Sequence, residues 1–253
     1  MHTMSVAPRA RRAALATLCS LAAAPALLVA GVSAAATRGS GNRASEMRTV
    51  AEFQAVAVSG AMDLLVRQGA QQSVQLQADD NLLPLIETVV ESGNGGPTLK
   101  VRWKQGESTS SRSKVQVTVV VPRLTALALA GAGDVRMETF TTPTLQLTLS
   151  GSGDARLDGL STDELGVRIS GSGNFGGKGA AAKVRVNIAG SGDVNMLELR
   201  ADDVQVSIAG SGNAAVDAQK SLQISIAGSG DVVYTGNPQV KSSVAGSGSV
   251  RRK

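Results

Sequence analysis

The sequence Val184-Arg-Val-Asn-Ile-Ala-Gly190-Ser-Gly-Asp193 contains the two patterns that decide the fold. Its first five residues alternate β-branched apolar side chains with Arg and Asn, the period-two pattern of a strand with one buried and one exposed side. The Gly-Ser-Gly-Asp phrase that follows predicts a sharp corner, because glycine adopts backbone angles that a β-carbon penalises. The stretch therefore predicts a strand that ends in a tight corner.

The same phrase, with small variations, returns along the second half of the chain. Its copies begin 20, 20, 19, 20, 18 and 18 residues apart, at Gly131, Gly151, Gly171, Gly190, Gly210, Gly228 and Gly246. A fixed period near 20 indicates a solenoid, in which each coil buries its apolar side only by stacking on its neighbours. The sequence therefore predicts an all-β fold, a parallel β-helix with 18–20 residues per coil.

Stacking of the coils would align equivalent residues of the phrase in columns about 4.8 Å apart. The column after the first glycine is small (Ala132, then Ser152, Ser172, Ser191, Ser211, Ser229 and Ser247). The fourth column reads Asp, Asp, Asn, Asp, Asn, Asp, Ser, and such side chains cap turns by bonding nearby backbone amides. This order also separates some of the stacked carboxylates, which would otherwise repel one another.

Residues 1–36 have the pattern of a secretory signal peptide. Arg9, Arg11 and Arg12 precede an apolar run from Ala13 to Val32, and small residues follow it. The alternative is an uncleaved N-terminal anchor, since the run approaches the length of a membrane span. No later apolar stretch is long enough to cross a membrane. We therefore expect an exported protein: periplasmic, cell-surface or extracellular.

Removal of this segment changes the composition. Lys plus Arg falls from 25 to 22 while Asp plus Glu stays at 20, so the net charge falls from +5 to +2. The basic residues are scattered, whereas nucleic-acid binding favours a clustered basic face, so we expect no nucleic-acid partner. Cys19 and His2 leave with the segment. The mature chain would then have neither disulfides nor a His- or Cys-based nucleophile.

The first half of the mature chain is less regular. Residues 37–47 are small and polar and are interpreted as a linker, followed by one domain over 48–250, with irregular coils and an N-terminal cap over 48–122 and regular coils over 123–250. Within the cap, Asp79 to Asn81 are expected to cap a short helix from Leu82 to Val90. The alternative is two domains with a boundary near 122–125.

These residues resemble a known family. The opening block from Arg48 to Gly60, the Asp79-Asp-Asn81 sequence with its short apolar run, and the Gly-Ser-Gly-Asp/Asn array resemble the bacterial head GIN domain, a putative auto-transporter adhesin family. The similarity covers roughly residues 47–250. It implies a right-handed β-helix in or outside the bacterial envelope, and it carries no established catalytic residues.

Three kinds of chemical site are compatible with parts of this sequence. Some β-helices cleave acidic polysaccharides, and acid/base pairs could come from Asp154, Asp158, Asp163 and Glu164, although caps and solvated charges explain these residues as well. Calcium would need six to eight oxygens, yet the phrase supplies one Asp, Asn or Ser per coil. A phosphate cradle would need a helix N-terminus or a lysine partner. We therefore expect no catalytic residue, no cofactor and no metal.

The aromatic residues are few and scattered, and they are expected in core or cap positions rather than on a ligand platform: Phe53, Trp103, Phe140, Phe175 and Tyr234. The remaining hypothesis is binding by a polar face to a glycan or a protein surface, as an adhesive or interaction module. The alternative is a periplasmic protein that maintains the envelope and has no exposed ligand. A polysaccharide-active enzyme is a third and weaker candidate.

Overall fold

The structure is a computed structural model that describes residues 36–93, 96–107, 109–110 and 113–253. The signal peptide expected over residues 1–36 therefore lies outside the described residues except for Ala36. The described residues form one compact unit, a β-solenoid of about six turns. The all-β fold of stacked parallel coils predicted from the repeat is confirmed.

The strands are short in the first half and long in the second, where single strands bend around most of a coil. They are β1 (Thr37–Arg38), β2 (Arg43–Arg48), β3 (Ala55–Ser59), β4 (Met62–Gln68), β5 (Ser73–Asp79), β6 (Ile86–Gly93), β7 (Gly96–Trp103), β8 (Thr109–Ser110), β9 (Val115–Val121), β10 (Ala126–Gly131), β11 (Val135–Met137), β12 (Phe140–Thr141), β13 (Thr144–Gly151), β14 (Ala155–Gly171), β15 (Phe175–Gly190), β16 (Val194–Gly210), β17 (Ala214–Gly228), β18 (Val232–Thr235), β19 (Gln239–Gly246) and β20 (Val250–Arg252).

Two parallel ladders meet at the glycine corners. We call the ladder before the corner the first face: β7, β3, β10, β13, the C-terminal parts of β14 to β17, and β19. The ladder after the corner is the second face: β9, β4, β11, the N-terminal parts of β14 to β17, β18 and β20. Because β3 pairs with β10 and β4 with β11, both ladders run past residues 122–125 without interruption.

The corner glycines are required by backbone geometry. Gly190 has a φ of 136°, a left-handed conformation that a β-carbon disfavours. The next residue, Ser191, donates its backbone N–H to the carbonyl oxygen of Gly171 in the preceding coil, at 2.9 Å. The same bond joins most other successive corners, so each corner rests directly on the backbone of the one before it.

The interior is filled by the apolar half of each alternating strand. In β15 the side chains of Val184, Val186 and Ile188 are buried, while Arg185 and Asn187 between them are exposed. Val186 is in register with Val167 on one side and Val206 on the other, and all three are about 1% exposed. The inside and outside registers predicted from the sequence are therefore confirmed in these coils.

The N-terminal end departs from the parallel pattern. The β2 strand pairs antiparallel with β5, and β6 pairs antiparallel with β7. The segment 37–47 that the sequence analysis interprets as a linker thus includes β1 and most of β2. Antiparallel strands at this end cover the core where another coil would otherwise stack, as expected of a capping unit.

The helix predicted from Leu82 to Val90 is not formed. Leu83–Leu85 make one turn of 3-10 helix without a side-chain cap, and β6 begins at Ile86. Asp80 instead accepts a bond from the backbone N–H of Asn81 at 2.7 Å. The β-branched residues after the turn find partners on β7, and this pairing outweighs the local helical preference of so short a run.

Among the described residues, no helix has the length and apolar character needed to cross a membrane.

Candidate functional site

A continuous ladder of Asp and Asn side chains lies along the corner edge of the second face. We call it the Asx ladder; its members are Asp63, Asp134, Asp154, Asn174, Asp193, Asn213 and Asp231. The Oδ1 atom of each member accepts a hydrogen bond from the backbone N–H of the equivalent residue in the next coil, at 2.8 to 3.3 Å. The column bonds backbone amides, as predicted, but each amide belongs to the next coil and not to the residue's own turn, so these side chains link coils.

The acidic start of the Asx ladder is balanced by Lys114. Its Nζ lies 2.9 Å from Asp134 Oδ2 and 3.2 Å from Asp63 Oδ1. The hydrogen bond from Lys114 is the main cause that lowers the pKa of Asp134 below its usual 3.8, and the bonds to Asp134 and Asp63 raise the pKa of Lys114 above 10.5. One ammonium group thus offsets the repulsion between two stacked carboxylates.

Beside the Asx ladder, a groove of about 740 Å³ runs along the outside of the second face. Its central column is formed by outward residues of β4, β11, β14, β15 and β16: Leu65, Arg136, Arg156, Gly176 and Asn195. Five strands at the usual spacing give the column a length of about 19 Å. A groove of this size is within the range of small-molecule and oligomeric ligand sites.

Two arginines in the groove share one carboxylate. Arg136 donates from Nε to Asp158 Oδ2 at 2.7 Å, and Arg156 donates from Nε to Asp158 Oδ1 at 3.0 Å. Burial of the Asp158 carboxyl acts to raise its pKa, but the bonds from both arginines outweigh it, so the pKa lies below 3.8. The two guanidinium groups and the carboxylate together carry one net positive charge.

The other cations that line the groove each have a carboxylate of their own. Arg67 Nε lies 2.9 Å from Glu138 Oε1, and Lys178 Nζ lies 2.6 Å from Glu198 Oε2. These exposed pairs contribute little to stability. The net charge of each pair is zero. Net positive charge in the groove is therefore confined to the cluster of Arg136, Arg156 and Asp158. The Asx ladder beside this cluster is net negative, because Lys114 offsets only one of the charges of Asp63, Asp134 and Asp154.

Gly176 opens the groove between Arg156 and Asn195. A β-carbon built on this residue would have no heavy atom within 4 Å, and its φ lies outside the left-handed region. Neither backbone strain nor packing therefore requires a glycine here, in contrast to Gly190. The missing side chain leaves free space beside the arginine pair.

The four carboxylates considered for catalysis are not brought together. Asp154 belongs to the Asx ladder and Asp158 to the arginine pair, four residues apart on an extended strand, or about 13 Å. Each of the two carboxyl groups is engaged by a different partner, Asn174 for Asp154 and the two arginines for Asp158. Glu164 lies on the first face, 3.8 Å from both Lys183 and Arg185, and Asp163 is exposed nearby.

The oxygens of the Asx ladder do not form a metal site. Over the residues that the structure describes, no group of three or more His, Cys, Asp or Glu side chains is placed to hold a metal ion. In the Asx ladder one oxygen of each side chain is already engaged by an amide of the next coil. The Oδ1 atoms of the Asx ladder bind backbone amides of the protein itself.

The aromatic residues take core or cap positions, as the sequence predicts. Phe53, Phe140 and Phe175 are buried, and Trp103 and Tyr234 are partly buried and pack against the core. The groove residues, by contrast, were missed because the basic residues were considered scattered. A sequence signal did exist, since Asp134-Val-Arg136 and Asp154-Ala-Arg156 share the pattern Asp-x-Arg 20 residues apart.

The first face has a smaller depression of about 250 Å³. It lies near Gln146, whose side chain covers Gly166 of the next coil, and near Arg168 and Asn187. Because the Gln146 side chain occupies the space above Gly166, this depression offers less room for a ligand than the groove on the second face. The second face thus offers the larger site.

Comparison with known proteins bears on family and fold. The sequence model of the family described as "Putative auto-transporter adhesin, head GIN domain" matches residues 52–238. No match was found among curated proteins.

Several solved structures share the fold. A putative adhesin from Bacteroides fragilis is 24% identical with a TM-score of 0.78, covering 85% of this chain and 99% of that one. A putative lipid binding protein from Parabacteroides distasonis is 23% identical with a TM-score of 0.71 over 87% of this chain and 100% of that one. A putative adhesin from Parabacteroides merdae is 22% identical with a TM-score of 0.69, with coverage of 87% and 100%.

Proposed function

Because the chain belongs to the head GIN domain family of putative auto-transporter adhesins, we propose that it is an exported, non-enzymatic adhesive module that binds its ligand through the groove on the second face. The observation that carries the proposal is the groove itself. It is about 740 Å³ in volume, runs across five coils and exposes paired guanidinium groups on a rigid scaffold.

The composition of the folded region supports binding rather than catalysis. Residues 37–253 contain neither His nor Cys, so common nucleophile and base systems are not available. Asp158, the carboxylate that joins the two groove arginines, is held by both of them, which favours its charged form and opposes a role as a general acid. Rigid coils stacked by backbone bonds suit a surface that presents fixed contacts.

The signal-peptide pattern of residues 1–36 supports the same proposal, and it also fits the alternative of an envelope-maintenance protein without an exposed ligand. Protease accessibility of the native protein on intact cells distinguishes the two, beside the same cells with the outer layer opened. Cleavage on intact cells is expected for an adhesive module. Protection until the cells are opened would overturn it in favour of the periplasmic role.

Binding through the groove is tested with a steric variant. Gly176→Phe adds bulk where a β-carbon meets no neighbour, so the fold is expected to remain intact. Gln205→Phe adds similar bulk at an exposed position of the first face and serves as the matched control. In a screen of the purified protein against glycans and cell-surface proteins, the first variant should lose the ligand and the control should keep it; the reverse would show that the first face binds.

A further inference from the structure

The chemical class of ligand can be argued from the terminal nitrogens of the arginine pair. Arg136 and Arg156 are cross-strand neighbours on β11 and β14, and their side chains are 66% and 64% exposed. Each uses its Nε to bond Asp158. Within the described residues, no hydrogen bond from protein engages the terminal nitrogens of either guanidinium. Two guanidinium forks are thus fixed side by side, and their terminal N–H groups are available to a ligand.

Guanidinium forks bind planar or tetrahedral anionic groups through paired hydrogen bonds. Arg67 and Lys178 are matched by Glu138 and Glu198, and Lys114 is shared by Asp63 and Asp134, so the Asx ladder there is net negative. At the arginine pair itself, Asp158 offsets only one of the two positive charges. The local excess of one positive charge complements one acidic group on the ligand.

The negative charge of Asp154 would repel a ligand that offers only an anionic group beside the arginines. Asp154 lies two residues before Arg156 on the same side of the strand, about 6–7 Å away. Its Oδ1 accepts both bonds from Asn174, and Asp154 lines the groove, so Oδ2 can serve as an acceptor for a ligand. A ligand that fits must offer an acidic group at the arginines and a hydrogen-bond donor, such as a hydroxyl, at Asp154. Acidic sugars carry both.

We propose that the groove binds an acidic polysaccharide, with a carboxylate or sulfate group of one sugar bound by Arg136 and Arg156, a hydroxyl group bound by Asp154, and the ring seated over Gly176. The elongated groove favours a polymer over a single sugar because its column continues for about 19 Å. This inference rests on the proposed adhesive function and names its ligand class.

The test is a titration of the purified protein with three polymers: polygalacturonate, which carries carboxylates, chondroitin sulfate, which carries carboxylates and sulfates, and neutral dextran. Binding to one or both acidic polymers and not to dextran is expected, with an affinity that falls as salt is raised. Polygalacturonate binding would identify the carboxylate as sufficient; binding to chondroitin sulfate alone would identify the sulfate.

Variants assign the binding to the arginine pair. Arg156→Gln should weaken binding of the acidic polymer about tenfold or more, since charge-assisted hydrogen bonds are lost. Arg168→Gln makes the same charge change at an exposed site on the first face and should alter affinity less than about twofold. Gly176→Phe should abolish binding without any change of charge. Thermal melting of each variant checks that the fold is retained.

Failure of this inference is distinct from failure of the proposed function. Binding of dextran or of a protein ligand that Gly176→Phe abolishes and Arg156→Gln leaves intact would overturn the acidic class and keep the adhesive groove. Equal weakening by Arg156→Gln and Arg168→Gln would show attraction to the whole surface and overturn the site. Absence of binding to both acidic polymers would overturn the inference as well, while the intact-cell experiment still decides the adhesive role.

Discussion

Asn174 donates both its backbone N–H and its side-chain Nδ2–H to a single oxygen of Asp154, at 2.8 and 3.0 Å. Asn213 makes the same pair of bonds to Asp193, both at 2.9 Å. The alternation of Asp and Asn therefore does more than dilute charge, because each Asn supplies a donor that a second carboxylate would lack. The Asp and Asn members of the column look interchangeable in sequence, but in the stacked coils they pair as hydrogen-bond acceptor and donor.

The first prediction concerns this complementarity. Asn213→Asp would remove the side-chain donor to Asp193 and place carboxylates on three successive rungs up to Asp231. We expect a loss of about 1–2 kcal/mol in the free energy of unfolding at neutral pH, from the lost bond and from repulsion. Denaturant unfolding measures it.

The control is Asn213→Ser, because Ser249 already donates its hydroxyl to Asp231 at 2.7 Å. This variant should lose less than Asn213→Asp. The loss in Asn213→Asp should also shrink below about pH 4, where carboxyl groups protonate. An identical loss at both pH values would rule out charge as its cause.

The second prediction compares two glycines. A β-carbon at Gly190 would overlap the carbonyl oxygen of Gly171, and the φ of 136° is unfavourable as well. Gly190→Ala should destabilise the protein by about 3 kcal/mol or more, and Gly190→Val by at least as much. Gly176→Ala, where the β-carbon meets nothing, should change the melting temperature little. Similar melting temperatures for the two alanine variants would refute the role assigned to the corner.

The third prediction tests the register of the strands. Val186→Asp and Ile208→Asp would each bury a charge in the core and should prevent stable folding or lower stability by several kcal/mol. Gln205→Asp on the exposed side of β16 should change the free energy of unfolding by less than about 0.5 kcal/mol. A larger effect for Gln205→Asp than for the two core variants would show that the inside and outside positions of these strands are assigned the wrong way round.

The regular coils could be predicted from sequence because their determinants are local and repeated. Alternation places Val184, Val186 and Ile188 inward, and the glycine phrase marks the corner without reference to any distant residue. Seven copies also allow the stacking partner of each residue to be read from the period alone. Gly190 and Gly171 face each other because they hold the same place in the repeat.

The capping unit could not be predicted in the same way. The residues from Ile86 to Gly93 form a strand because β7 lies beside them, and no repeat in the sequence predicts this pairing. Likewise β2 (Arg43–Arg48) pairs with β5, and the chain between these two strands has no periodic pattern. Pairings between dissimilar segments depend on tertiary packing, and local propensity gives little indication of them.

The groove lies between these two cases. The arginines repeat with the coil, so their stacking was accessible from the sequence, but Asp158 joins them from a position outside the repeated phrase. The opening at Gly176 was hidden for another reason. Gly176 follows the Gly171-Ser-Gly-Asn174 phrase, and no sequence pattern indicates that its β-carbon position is free; the structure shows both that free space and a φ outside the left-handed region.

The final prediction concerns acid stability and the Asp158 carboxylate. Its pKa is lowered in the folded protein, so folding favours the charged form relative to the unfolded chain, where the pKa is about 3.9. The stability that this shift contributes is fully present above that unfolded value and is lost as pH falls through the lower native pKa. Asp158→Asn should therefore reduce the denaturant midpoint at pH 6, and the difference from wild type should shrink at strongly acidic pH.

The matched control is Asp163→Asn, since Asp163 is exposed and lies outside the groove. Its midpoint should stay close to that of wild type at both pH values. Carboxyl carbon chemical shifts recorded through an acid titration give the direct measurement, and Asp158 should titrate below the usual range of aspartates. A midpoint difference for Asp158→Asn that stays constant down to the acid limit would mean that packing, and not the charge held between Arg136 and Arg156, makes the contribution.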